Sequence, residues 1–196
     1  MIFYFSATGN CLHISQQLDS HSQSIPQVLK TEDLEFEDET IGIVTPVYAG
    51  EMPHIVRRFI EKATFKTNYF YIISTYGMND SVASEWASQF CKEQGIKVNY
   101  ANTLQMVDNY LPSFDVNEQK AMDKKIPEQL SMIKEDLNQR KNFIKQPTED
   151  GREKYDLVKA RFTEYPEINN GEQIKITDKC SGCGICVRVC PRSEEH

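Results

Sequence analysis

The chain has 196 residues, 26% of them charged, and a formal net charge of -7 at pH 7. Nucleic-acid binding requires basic patches, so this acidic balance predicts no nucleic-acid partner. No apolar run approaches the roughly 18 residues that cross a bilayer, and Met1 leads into a predicted strand without a basic leader segment. We therefore expect a cytoplasmic protein with no membrane contact.

The first eleven residues combine an apolar strand, a polar loop and the start of a helix. The strand runs from Ile2 to Phe5, and the loop consists of Ser6, Ala7, Thr8, Gly9, Asn10 and Cys11. Two hydroxyls, a glycine, a predicted Asn10 cap and the N-terminus of a helix together suit a phosphate. No lysine precedes Lys30, which argues against a nucleotide-triphosphate loop. A βα turn without a ligand is the alternative, and the loop alone leaves both interpretations open.

The following segments alternate between predicted helices and strands. In chain order they are a helix from Leu12 to Ser20 or Ser22, a strand over Ile25–Leu29, a solvated acidic connection over Glu32–Glu39, a strand over Ile41–Thr45, a helix from Ile55 to Ala63, a strand over Tyr69–Thr75, a helix over Ser81–Glu93 and a strand over Val98–Met106. Strands without polar alternation are typical of parallel sheets that are covered on both faces. The pattern predicts an α/β fold with a doubly wound parallel sheet of five strands.

Three unusual loops follow strands of this predicted sheet. The first is Ser6 to Cys11, the second contains Pro46, Val47, Tyr48, Ala49 and Gly50, and the third contains Thr75, Tyr76 and Gly77. Ligands of open α/β sheets bind beyond the carboxyl ends of the strands, so we expect the three loops to form one binding site. Tyr48 and Tyr76 offer flat faces to a ring, and the alternative for each is a half-buried aromatic at the end of a strand.

The second half of the chain is predicted to be mainly helical. A turn over Asp108–Pro112 precedes a helical stretch from Asn117 to about Lys145, which we expect to break at Pro127. Its apolar stripe extends to Ile144, and another helix is predicted over Gly151–Phe162. We expect these helices to cover the sheet, with their Met and Phe side chains in the core.

A cysteine cluster lies near the end of the sequence. Cys180, Cys183, Cys186 and Cys190 have the C-x2-C-x2-C-x3-C-P spacing of bacterial ferredoxins and predict ligands of a 4Fe-4S cluster. A zinc ribbon requires two separated cysteine pairs, which this spacing does not provide. The fourth cysteine of such a run ligates the other cluster in two-cluster ferredoxins. We therefore expect an incomplete ferredoxin module, whether truncated, trimmed or degenerate.

These motifs carry a resemblance to a known family. S-A-T-G-N-C after a first strand resembles the phosphate loop of flavodoxins, and the order V-Y-x-G, N-Y-L-P, long helices and clustered cysteines is similar to flavodoxin and ferredoxin fusion proteins of anaerobic bacteria. The resemblance implies FMN, with its phosphate at Ser6 to Cys11 and its ring near Tyr48 and Tyr76. It further implies a flavodoxin-like domain over residues 1–113, a helical extension over 114–170 and a partial ferredoxin-like segment over 171–196.

The first hypothesis for function is an electron carrier that exchanges electrons with flavin reductases or ferredoxin-dependent enzymes. It requires no catalytic residue, because the flavin supplies the chemistry. An FMN-dependent NAD(P)H or quinone reductase is the alternative, although no G-x-G-x-x-G fingerprint follows a strand. A flavin-free scaffold is the third possibility. The sequence does not indicate the oligomeric state.

Overall fold

A computed structural model describes residues 1–110, 113–166 and 176–186 of the chain. Their strands are β1 (Ile2–Tyr4), β2 (Gln23–Ser24), β3 (Glu35–Glu37), β4 (Thr40–Pro46), β5 (Thr64–Lys66), β6 (Tyr69–Tyr76), β7 (Tyr100–Gln105) and β8 (Phe143–Ile144). Their helices are α1 (Asn10–Leu18), α2 (Ile25–Val28), α3 (His54–Lys62), α4 (Ala83–Glu93), α5 (Val116–Ala121), α6 (Ile126–Asn138) and α7 (Glu149–Glu164). No helix in this part of the chain is long and apolar enough to cross a membrane.

The main sheet is parallel and has six strands in the order β2-β1-β4-β6-β7-β8. With the small β3-β5 pair set aside, its first five strands have the flavodoxin-like order 2-1-3-4-5. The predicted doubly wound α/β sheet is therefore confirmed, and β8 adds a sixth strand. The strand order reverses between β1 and β4, so the crevice for a ligand lies beyond the carboxyl ends of these two strands.

Both faces of the sheet are buried, as the unbroken apolar strands predict. Phe70 and Ile72 of β6 belong to the core under α3 and α4, whereas Tyr71 and Ile73 belong to the core under α1 and α6. Each of these four side chains is at most 4% exposed. Successive residues of a strand point to opposite faces, so a strand between two cores has no polar face.

The predicted strand over Ile25–Leu29 is wrong. The strand is only Gln23–Ser24, and the helix α2 begins directly after it at Ile25. Pro26 occupies the first turn of this helix, where its fixed φ angle and missing N–H are tolerated. Ile25 and Val28 are buried in the core from the helix, which explains why the segment has the apolar composition of a strand.

The acidic connection over Glu32–Glu39 contains a strand that we did not predict. In β3 the charged Glu35 and Glu37 are exposed, and Phe36 between them packs on Phe3 with a ring-centroid distance of 4.6 Å. β3 pairs in parallel with β5, and Phe36 and Phe65 are partners in this register. The alternation of charge and aromatic ring explains the strand, which the acidic composition concealed.

The helices of the second half cover the sheet only in part. The break before Pro127 is confirmed, and α6 buries Leu130 and Ile133 on the sheet. Ile144 is not helical but lies in β8, where the N–H groups of Phe143 and Lys145 donate to the carbonyls of Asn99 and Ala101. The expected burial of Met and Phe side chains is wrong at three positions, since they are 37% to 61% exposed: Met122, Met132 and Phe143.

The close approach of β4 and β6 at Gly42 gives a first prediction. Gly42 pairs with Tyr71, and a Cβ atom at Gly42 would lie 2.1 Å from the Tyr71 Cζ atom. Tyr71 is 4% exposed and has little room to move. We expect Gly42→Ala to lower the free energy of unfolding by about 1–3 kcal/mol, measured by urea titration, because a buried ring must shift.

A double-mutant cycle separates this overlap from a general effect on β4. In a Tyr71→Leu background the overlapping ring is gone, so the same Gly42→Ala change should lower the free energy of unfolding by clearly less. An equal cost in both backgrounds would contradict the prediction.

Candidate functional site

The loop from Ser6 to Cys11 is built around Gly9. Gly9 has a φ angle of 100° and its N–H donates to Ser6 Oγ at 3.1 Å, while its carbonyl accepts the first helical hydrogen bond, from His13 N–H. The prediction that Asn10 caps the helix is wrong, because Gly9 is the N-cap and Asn10 is the first helical residue. The left-handed φ angle favours glycine at this position.

Two side chains tie this loop to the segment that follows β7. Asn10 Nδ2 donates to the Val107 carbonyl at 2.9 Å, and Asn109 Nδ2 donates to Thr8 Oγ1. Thr8 Oγ1 and Ser6 Oγ thus both accept hydrogen bonds, which leaves each O–H free to donate outward. Thr8 and Gly9 are exposed, so these hydroxyls and the first N–H groups of α1 can reach a phosphate.

Thr75 connects all three predicted loops. Its Oγ1 lies 3.1 Å from Cys11 Sγ in the first loop, and its carbonyl accepts a hydrogen bond from Val47 N–H in the second loop at 2.9 Å. Burial raises the pKa of the Cys11 thiol to about 12, against the opposing effect of the Thr75 hydrogen bond. Cys11 is therefore a neutral packing group.

The second loop forms a tight turn that presents Tyr48. The Tyr48 and Glu51 backbones exchange two hydrogen bonds, and Ala49 and Gly50 between them have φ angles of 53° and 84°. This two-residue turn has the positive φ pair of type I′ turns. A Cβ atom at Gly50 would lie 2.6 Å from the Tyr155 ring, so α7 packs directly on the turn. Tyr48 is 49% exposed.

The third loop is packed more closely. The Tyr76 ring lies 5.8 Å from the Lys145 ammonium, and burial raises the pKa of its hydroxyl. The Asp108 carboxyl packs directly against Gly77. A Cβ atom added at Gly77 would lie 2.0 Å from Asp108 Oδ2. Gln105 Nε2 donates to the Gly77 carbonyl at 2.8 Å. The loop therefore needs glycine at position 77, and one face of Tyr76 already has a cation beside it.

Helix α7 is held on these loops by polar contacts. Tyr155 Oη donates to Glu51 Oε1 at 2.8 Å, Lys159 Nζ lies 2.9 Å from the same oxygen, and Arg152 forms two hydrogen bonds with Glu85 at 2.6 and 2.9 Å. Gly151 is the buried residue of this helix. The expectation that this helix covers the sheet is therefore wrong, because it packs on the second loop and pairs with Glu85 of α4.

The structure thus brings the predicted loops together at one edge of the sheet. Cys11, Thr75 and Val47 join them. The segment from Val107 to Asn109 also contributes, which we did not predict. A usable signal was present, because this segment also follows a strand at the same edge. The contact of Tyr155 with the second loop left no local signal in the sequence.

The cysteine segment is described only up to residue 186. Cys180, Cys183 and Cys186 are exposed free thiols, whereas Cys190 and Pro191 lie outside the described residues. Gly182 and Gly184 have φ angles of 66° and 68°, so the chain between the cysteines takes left-handed turns. No group of three His, Cys, Asp or Glu side chains that could hold a metal occurs in the described ranges. The donor chemistry and its spacing fit an iron–sulfur cluster, and metal binding to such a segment is coupled to its folding.

The thiols of the apo-protein should differ strongly in reactivity. The hydrogen bond from the Ile185 backbone, with a second from Ser181, lowers the pKa of Cys183, whereas burial raises the pKa of Cys91 to about 12. Because the thiolate is the nucleophile, we expect iodoacetamide to modify Cys183 at least about a hundredfold faster than Cys11 or Cys91 at pH 7.

Mass spectrometry of the alkylated protein measures these rates, and the protein in urea is the control, in which all thiols should react alike. The rate at Cys183 should begin to rise with pH below the ordinary thiol range, because a lowered pKa yields thiolate earlier. Equal rates at Cys11 and Cys183 in the folded protein would contradict the prediction.

A comparison with family models identifies the C-terminal segment. Residues 174–193 match the model of the 4Fe-4S binding domain. The match includes all four cysteines of the predicted run and extends beyond the described residues. No curated protein matches the chain.

Several solved structures are distantly similar to the chain. A flavoprotein in complex with FMN from Lactobacillus acidophilus shares 12% identity over 52% of this chain and 90% of its own, with a TM-score of 0.36. Trp repressor binding protein from Bacillus subtilis shares 10% sequence identity over 67% of this chain and 97% of its own, with a TM-score of 0.40. Rubredoxin oxygen:oxidoreductase from Desulfovibrio gigas shares 11% over 67% of this chain, which spans 35% of that protein, with a TM-score of 0.40. Such low similarity does not identify a ligand.

Proposed function

We propose that the chain is an electron-transfer flavoprotein that binds FMN in the crevice between β1 and β4 and carries an iron–sulfur cluster on its C-terminal segment. The observation that carries the proposal is the position of the Ser6 to Cys11 loop. It lies at the point where the strand order reverses, where flavodoxin-like sheets bind FMN.

The residues present fit the phosphate of FMN. Ser6 and Thr8 have hydroxyl hydrogens to donate because their oxygens already accept bonds within the loop, and the N-terminus of α1 adds N–H groups and a positive dipole end. A Cβ atom at Gly9 would find no atom within 4 Å, so the loop faces open space. The exposed Tyr48 would pack on the flavin ring, and Tyr76 would line the site from the third loop.

When bound, FMN supplies the redox chemistry, and the chain binds and orients it. Cys180, Cys183, Cys186 and Cys190 are the residues that would hold a cluster, and the 4Fe-4S family match supports this assignment. Because the fourth cysteine of such a run serves a second cluster in two-cluster ferredoxins, Cys190 would have to supply the fourth ligand of the same cluster here. The net charge of -7 suits brief docking on basic redox partners such as flavin reductases or ferredoxin-dependent enzymes.

Spectroscopy of the purified full-length chain tests the proposal. We expect flavin absorbance as isolated or after FMN is added, and reduction by NADPH only when a flavin reductase is present. Steady oxidation of NADPH without a reductase would favour the alternative, a flavin-dependent NAD(P)H or quinone reductase. A protein that binds no flavin would overturn both and support a scaffold.

A further inference from the structure

Lys124, in the connection between α5 and α6, is a buried cation whose ammonium contacts neutral groups of the described residues. Lys124 is 8% exposed. Its Nζ atom donates to Gln119 Oε1 at 3.0 Å and lies 3.8 Å from Met122 Sδ. Within residues 1–110, 113–166 and 176–186 it forms no ion pair with a carboxylate. Burying an ammonium among neutral groups costs several kcal/mol, so this arrangement calls for a negative charge from elsewhere.

The neighbours of Lys124 hold its charge in place. Gln119 is 3% exposed, and its helix α5 is capped by the Asp115 carboxylate, which accepts the N–H groups of Asn117 and Glu118. The Lys124 carbonyl accepts a hydrogen bond from Gln129 Nε2 at 2.6 Å. The ammonium is therefore held by Gln119 of α5, while α6 holds the backbone of Lys124 through its carbonyl.

The same network reaches the third loop of the candidate site. Gln119 Nε2 lies 3.6 Å from the sulfur of Met78, the residue after Gly77. Gln129 Oε1 accepts the N–H of Gln105, whose side chain donates to the Gly77 carbonyl. Gln119 thus links the buried charge to Met78, beyond the carboxyl end of β6, and Met78 is itself 50% exposed.

We propose that Lys124 supplies the positive charge for the pyrimidine edge of bound FMN. Two electrons from a redox partner and one proton taken up at the flavin N5 leave one negative charge spread over N1 and the C2 carbonyl. An ammonium at this edge binds the reduced form more tightly than the neutral oxidised form and so raises the reduction potential. This inference rests on the proposed function and assigns one further residue to that site.

The test compares Lys124→Gln with Lys120→Gln, which removes the same charge from an exposed position of α5. Both proteins are loaded with FMN, and their potentials are measured by spectroelectrochemistry with dithionite as the reductant. We expect Lys124→Gln to weaken binding of reduced FMN relative to oxidised FMN about tenfold, a potential lower by about 30 mV for a two-electron couple. Lys120→Gln should leave the potential unchanged. Lys124→Arg keeps the positive charge and should leave the potential close to that of the original chain.

A purely structural role would give a different result. Thermal unfolding of the apo-protein with Lys124→Met tests it, because this change keeps the apolar stem and removes the charge. We expect an apo-protein at least as stable as the original, since an unpaired buried charge is lost. Equal potentials for Lys124→Gln and Lys120→Gln would overturn the inference while leaving FMN binding intact. An original chain that binds no FMN would overturn the proposed function and this inference with it.

Discussion

Gly9→Ala is expected to weaken FMN binding by about 30- to 140-fold, because roughly 2–3 kcal/mol is lost and each 1.4 kcal/mol is a factor of ten. The free loop relaxes the strain of about 1–2 kcal/mol that an L-residue has at a φ angle of 100°, and FMN binding must restore it. Imperfect return of the loop N–H groups to the phosphate accounts for the remainder of the loss. A fluorescence titration of the apo-protein with FMN measures the change.

Gly95→Ala is the matched control for the backbone strain. Gly95 follows α4 with a φ angle of 77°, and a Cβ atom there would also find no atom within 4 Å. Because Gly95 precedes β7 and lies toward the other end of the sheet, the control should lose similar stability without losing FMN affinity. Equal FMN affinity for the two variants would contradict a phosphate role for the loop.

Cys183→Ser is expected to abolish the iron–sulfur cluster while the flavin remains. Serine cannot replace a thiolate as a soft ligand for iron, and removal of one ligand from a short run leaves the cluster without a closed set. After anaerobic reconstitution we expect iron and acid-labile sulfide at background level, with FMN absorbance equal to that of the original chain.

Cys91→Ala is the control, since Cys91 is buried in the core and lies outside the predicted cysteine run. This variant should reconstitute normally even if it is less stable. Retention of iron by Cys183→Ser would remove Cys183 from the ligand set, and absence of iron in the reconstituted original chain would refute the cluster itself.

The sheet and its three loops were predictable because each has a local cause. Unbroken apolar runs such as Tyr69–Thr75 occur where both faces of a strand are buried, and the carboxyl ends of parallel strands meet at one edge. The loop from Ser6 to Cys11 is likewise predictable because its residues are adjacent in the sequence. Local patterns therefore located the candidate site before any contact was known.

The remaining features depend on contacts between distant residues. Thr8 meets Asn109, and Glu51 meets Tyr155, across more than 100 residues of chain, so no local pattern contains them. The helix at Ile25 has the composition of a strand, and only Pro26 in its first turn shows the difference. The charge of Lys124 is ordinary in the sequence, and its burial between α5 and α6 makes it notable.

The lengths of the outer strands have a consequence for solubility at high concentration. The six-stranded sheet ends in β2 on one side and β8 on the other, and each has two residues. Unpaired N–H and C=O groups on a long outer strand are a template for aggregation between copies. Here Lys141 and Lys145 flank β8, and the Lys141 ammonium lies 5.3 Å from the Phe143 ring. Outer strands of two residues leave little backbone with which another chain could pair to form a fibril.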